Sequence, residues 1–228
     1  MRSPWVKSRN RDEERELKRE AVLRTAARLF SEQGFHATSL DEVAEQLQVT
    51  KPTLYYYIKS KDEILFECVR IGLEMVTDSL ARATASGGSA VDQLVECMRA
   101  YGRVVTMDYG RCVIRVGEDP LPPDSRRKLR ALKARIDRVF RDLVRQGVAE
   151  GSLAPCDPKL TAFTLAGALS WIGRWYQPQG ALAPEEVIEP CIRTLLAGLL
   201  RRPEEPVPRR AAAPARRDAS RSRRRSVT

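Results

Sequence analysis

Histidine is nearly absent: the 228 residues contain one, His36, in the stretch after Gly34. The chain also lacks a G-x-S-x-G element, a glycine-rich phosphate loop and paired carboxylates in an apolar context. Catalysis needs a nucleophile beside a base, or a cradle for phosphate, so an enzyme is not expected. His36 reads as a solvated or capping side chain. Cysteine is sparse and scattered, at Cys68, Cys97, Cys112, Cys156 and Cys191. An odd set without C-x-x-C spacing argues against a disulfide framework and a zinc site, and no cofactor is expected. These thiols read as small buried residues in a reducing compartment, with a redox switch as the other reading. No run resembles a membrane span. The charged opening, MRSPWVKSRNRDEERELKRE, lacks the apolar segment of an export signal, so a cytoplasmic protein is expected.

Positive charge is plentiful but unevenly placed. The formal net charge is +10, yet residues 201–228 alone hold ten arginines against three acids, leaving +3 for the rest. That Pro-, Ala-, Ser- and Arg-rich end has almost no large apolar residue, so disorder is expected over 203–228. It either adds salt-sensitive attraction to phosphate or solubilises the protein. Without an apolar helix or lipid anchor, no membrane partner is expected. Residues 1–10 read as a flexible arm, and Arg2, Lys7, Arg9 and Arg11 either reach DNA or fray.

The stretch SLDEVAEQLQVTKPTLYYYIKSKDEI, Ser39 to Ile64, carries most of the information. Ser39 with Glu42 forms a capping box ahead of Val43, Ala44 and Leu47. Thr50 can cap the next helix, where Pro52 occupies the first turn and its missing N–H is harmless. Ser60 with Glu63 repeats the box and opens a third helix. Two short helices separated by Gln48 and Val49 predict a helix-turn-helix, whose second helix can enter a DNA major groove. Leu54 and Ile58 face the core, leaving Tyr55 and Tyr57 swung roughly 100° to either side. Rigid hydroxyls beside Lys51, Lys59 and Lys61 suit phosphate oxygens. Upstream, Leu23, Ala26, Ala27 and Phe30 make one stripe of a helix over 11–33, which Gly34 stops.

The ordered pattern AARLFSEQGFHATSLDEVAEQLQVTKPTLYYYIKSKDEIL resembles the DNA-binding domain of the TetR family of bacterial transcriptional regulators. The resemblance implies an all-α fold: a three-helix DNA-binding domain over 11–60, then a helical ligand-binding and dimerisation domain over 61–202. It also implies roles. Lys51, Pro52 and Thr53 would face base edges or nearby backbone; Tyr55, Tyr57 and Lys61 would hold phosphates; Ser39 would cap its helix beside one. It further implies a homodimeric repressor on a near-palindromic double-stranded operator beside the bacterial nucleoid, released by a small-molecule inducer. Two positions depart from the family pattern. Asp41 stands where relatives often carry arginine, and Gln48 stands where they often carry glycine, so the turn either puts a positive φ on a glutamine or differs slightly.

Further along, helices are predicted from Lys61 to about Ala83, over 90–107 and over Ser125–Gln146, with 110–123 undecided. Residues 157–176 mix small residues with Phe163, Trp171 and Trp175, and a final helix from Pro184 contains Pro190. Two such apolar helices exceed the needs of one small core. They predict a symmetric four-helix seam through Phe163, Gly167, Ser170, Trp171, Ile188, Ile192, Leu195 and Leu199. Met98, Tyr101, Val105, Phe140, Phe163 and Trp171 are candidate walls of an apolar pocket. The segment ALSWIGRWYQPQGALAPEEV is also similar to regulators of this family that respond to acyl-CoA, implying phosphate contacts from Arg111, Arg115 or Arg174. A ligand-independent architectural DNA-binding protein is the alternative, and a filled C-terminal domain would favour it.

Overall fold

A computed structural model describes residues 11–199, which form nine helices and no strand among the described residues. The expected N-terminal arm and arginine-rich tail lie outside the described residues, as do 200–202. The helices are α1 (Arg11–Gln33), α2 (Leu40–Gln46), α3 (Lys51–Tyr57), α4 (Lys61–Ala85), α5 (Ala90–Thr106), α6 (Asp108–Arg115), α7 (Pro123–Ala149), α8 (Pro158–Trp175) and α9 (Pro184–Ala197). The fold is all-α, as the sequence predicts.

Local chemistry sets the ends. The Ser39–Glu42 box is complete: the Glu42 amide donates to Ser39 Oγ at 3.1 Å and the Ser39 amide to Glu42 Oε2 at 2.6 Å. Two expected caps differ in detail. The Thr50 hydroxyl pairs with the Thr53 hydroxyl at 2.9 Å rather than with an amide, because Pro52 holds the first turn of α3 without it. At α4, Ser60 accepts from the Glu63 amide, but the Glu63 carboxylate reaches one residue further back, to the Lys59 amide at 2.8 Å. Gln48 adopts φ 57°, so of the two forms the turn could take it is the left-handed one. Gly34, at φ 94°, ends α1, its amide donating to the Phe30 carbonyl.

The first three helices close over Ala26, Ala27, Phe30, Val43, Ala44, Leu54 and Ile58, all buried. α1 then packs on α4 and α6, with Arg19 bonded to Glu67 of α4 at 3.1 Å. The stretch left undecided by the sequence contains α6, set off from α5 by the single extended residue Met107. Its eight residues carry too short a pattern to show a period. Close approach explains two of the glycines. A Cβ on Gly110 would lie 1.8 Å from the Val104 carbonyl oxygen, and one on Gly173 of α8 2.9 Å from that of Val105. The end of α5 is therefore met backbone to backbone by both α6 and α8.

Candidate nucleic-acid interface and ligand cavity

α3 buries Leu54, and Ile58 just after it, against the other head helices, so its remaining faces are outward. Lys51, Pro52 and Tyr55 are exposed, while Thr53 and Tyr57 are half-buried. Tyr56, outside the predicted contact set, is the most exposed of the three tyrosines, at 68% against 49% for Tyr55. The sequence does hold the signal: two residues beyond Leu54 is about 200° around a helix, opposite the core. Its ring meets Tyr57 edge-on at 5.1 Å, and the Arg15 guanidinium of α1 lies 5.7 Å from its centre. Lys61 lies 4.5 Å over the Phe35 ring, its ammonium 3.4 Å from the His36 carbonyl. Hydroxyl and cationic donors of these kinds are suited to phosphate and base edges. Lys51 also carries an ion pair with Asp41 at 2.8 Å. Its hydrogen bond to Asp41, and then the charge of that carboxylate, raise Lys51 above the ordinary lysine range.

In the other half, a cavity of about 490 Å³ opens between α4, α5, α6, α7 and α8. Of the candidate wall residues, Tyr101, Val105, Phe140, Phe163, Trp171 and Arg174 line it. Met98 does not: it is wholly buried in the core and off the wall. Periodicity places Met98 correctly on the inner face of α5 but cannot distinguish core from cavity. Further apolar wall comes from Leu73, Val76, Val113 and Ile136. The polar features are few. Tyr101 and Ser170 share a hydroxyl–hydroxyl bond of 2.7 Å, and burial pushes the Tyr101 phenol upward against that bond. Lys133 is held by Glu118, and Asp137 by Arg141. Burial pushes Glu118 up, but Lys133 and then Arg130 outweigh it and leave the carboxyl below its usual range. The second Asp137 oxygen is buried on this wall without a hydrogen-bond partner.

Of the three arginines expected near a ligand phosphate, only Arg174 lines the cavity. Arg111 is buried, with Nε unpartnered, and Arg115 donates to the backbone carbonyls of Ser31, Gly173 and Arg174. Arg115 thus ties α6 to the end of α1 on one side and to α8 on the other. Tyr109 adds a second tie, its hydroxyl 3.5 Å from the Glu20 carbonyl of α1. Gly110, Val113 and Ile114 of the same helix line the cavity. One short helix therefore touches both the cavity and the DNA-facing half.

The expected dimer-seam residues divide. Phe163 and Trp171 are exposed, at 51% and 66%, with Gly167 exposed between them and Ser170 half-buried. Ile188 and Ile192 are instead buried within the protomer, where Ile188 packs onto Gly102 of α5. Leu195 and Leu199 are half-buried against the same core. The apolar stripe of α9 is internal because the small Gly102 lets α5 take it. Pro190 does lie inside α9, as predicted. Among the described residues, no helix is long and apolar enough to cross a membrane, and no cluster of ligating side chains suits a metal ion.

Comparison with known proteins supplies the remaining context. Residues 22–68 match the model of bacterial regulatory proteins of the tetR family, and residues 87–199 match that of the tetracyclin repressor-like C-terminal domain. The transcriptional repressor KstR2 of Mycolicibacterium smegmatis is 24% identical over 187 residues, covering 80% of this chain and 90% of that protein. The solved structure of the TetR family regulator PfmR from Thermus thermophilus is 31% identical, with a TM-score of 0.70 over 79% of this chain and 99% of that one. The structure of AibR in complex with isovaleryl coenzyme A and operator DNA is 27% identical, with a TM-score of 0.69 over 78% and 97% of the two chains. With both of its halves matched and a relative of this identity aligned over nearly its whole length, the chain belongs to the TetR family of helix-turn-helix transcriptional regulators.

Proposed function

We propose that this regulator is a homodimeric repressor of a near-palindromic operator, released when a small apolar or acyl-CoA-like inducer fills the cavity. The cavity carries the reading. It is enclosed mainly by aliphatic and aromatic side chains, and its volume suits a small ligand. A pocket of this kind counts against a purely architectural DNA-binding protein. Two recognition helices about one turn of DNA apart, ~34 Å, would straddle an operator, and a bound repressor there would exclude polymerase. Ser39, Lys51, Pro52, Thr53, Tyr55, Tyr57 and Lys61 form the proposed DNA face, and Tyr56 joins them. The organisation into a head over 11–60 and a ligand-binding and dimerisation body from 61 follows the same reading, as does work in the cytoplasm beside the nucleoid.

The exposed apolar face of α8 supports the dimer. Phe163, Gly167 and Trp171 also line the cavity, so a second copy packed there would narrow its mouth. The ties of α6 support the release step. An occupant that displaces Val113 or Ile114 must move Tyr109 and Arg115, and with them the contacts to α1. Release then scales with the ligand's differential affinity for the two head spacings. AibR binds isovaleryl coenzyme A in its solved complex, which supports a thioester of a short acid, with the acyl chain on the aliphatic wall and phosphates near Arg174 and Lys133.

A thermal-shift titration with acyl-CoA thioesters, coenzyme A and the free acids tests this directly. Thioesters are expected to raise Tm, and to go on raising it with the logarithm of concentration above Kd. Ala166→Phe, which fills the cavity from α8, is expected to abolish that shift while DNA binding persists. If no apolar ligand or thioester moves Tm, the inducer reading is wrong.

A further inference from the structure

The Asp41–Lys51 pair is not the sole contact that sets α2 and α3. α2 is already capped by Ser39 and Glu42, α3 starts on Pro52, and the two helices close over Val43, Ala44, Leu54 and Ile58. Yet the pair joins the second residue of α2 to the first of α3 at 2.8 Å, with both side chains exposed. It sits at the N-terminus of the recognition helix, the end that meets base edges in helix-turn-helix complexes.

We propose that Asp41 determines sequence specificity: by holding Lys51 it withdraws that lysine from phosphate and makes the pair a reader of one G·C base pair in each half-site. The inference rests on the operator-binding reading above. A free lysine here would neutralise a phosphate on any DNA and release a counterion. A lysine with a carboxylate at 2.8 Å brings no net charge. Seating that pair on the backbone would also press an anion against phosphate. The major-groove edge of a G·C pair offers the complement. Guanine O6 and N7 accept from the remaining Lys51 hydrogens, and cytosine N4 donates to the free Asp41 oxygen. Glu42, the other acid in the first turn of α2, cannot substitute, because its carboxylate is engaged by the Ser39 amide. Asp41 therefore lowers affinity for all DNA and restores it where the matching pair is present.

The test uses the full chain, wild type and Asp41→Asn, in two assays with a melting curve for each protein. One assay is selection from a random duplex library. The other is the salt dependence of binding to a single random-sequence duplex. Asp41→Asn is expected to bind the random duplex several-fold tighter. Its log–log salt slope should steepen by ~0.9 per protomer, one phosphate's contribution. Its selected motif should lose one G·C preference per half-site. Adding Lys51→Met to Asp41→Asn should return the slope to the wild-type value, because the gain acts through Lys51. The same motif and slope from both proteins would overturn this inference alone. A library from which neither protein selects any motif would overturn the operator reading and this inference together.

Discussion

Helices α8 and α9 are comparably rich in apolar residues and adjacent in sequence, yet they use that surface in opposite directions. α9 turns Val187, Ile188, Ile192 and Leu196 into its own protomer and leaves Glu186 and Arg193 outside. α8 buries Ala162, Leu165, Leu169 and Ile172 on one side and exposes Leu160, Phe163, Trp171 and Trp175 on another. Apolar content alone does not mark an interface. What marks one is a second apolar face on a helix whose first face is already covered.

Mutations can break this contrast, beginning with the core. Ile188→Ala should cost ~2–5 kcal/mol in a denaturation experiment, since it opens a void against α5. Trp171→Ala should leave the protomer's fold intact but weaken self-association by ~2 kcal/mol, about thirtyfold in Kd, if Trp171 anchors the seam. Sedimentation over a concentration series reads that change directly. An unchanged Kd for Trp171→Ala, beside a shifted one for an outer α9 variant such as Thr194→Arg, would reverse the assignment of faces. The smallest effect concerns the tie between α9 and α5. Arg99 grips Glu189 with bonds of 2.6 and 3.1 Å, and that hydrogen bonding holds the Glu189 carboxyl below its usual range despite some desolvation. A lowered folded-state pKa gives stability that is present above the unfolded carboxylate value and lost as pH falls through the folded one. Glu189→Gln should therefore cost under ~1 kcal/mol at neutral pH, and the difference in Tm from wild type should vanish in acid.

The head was the most legible part of the sequence because its signals are local. A serine three residues before a glutamate, a proline in a first turn and a tyrosine run beside Leu54 each fix geometry within a few residues. The body was less legible because its decisive contacts are distant in sequence. Nothing near Met98 says that core closes over it, nothing near Arg111 says that it is buried, and Ile188 becomes internal only through Gly102, far up the chain. α6 was undecided because eight residues between a one-residue break and a Pro-rich loop show no full period. Tyr101, Val105, Phe140, Phe163 and Trp171 of the cavity wall are nonetheless readable, since apolar faces of α5, α7 and α8 have to meet somewhere, whereas the share from α4 and α6 is not.

The most direct measurement is an anisotropy titration of the purified protein on DNA from its own upstream region, with and without short-chain acyl-CoA thioesters, using Tyr55→Phe and Lys51→Ala as controls. A ligand-responsive repressor gives saturable, palindrome-dependent binding at nanomolar protein, weakened in both controls and reversed by a thioester. Binding that follows salt alone, ignores the palindrome and is indifferent to every ligand would contradict it.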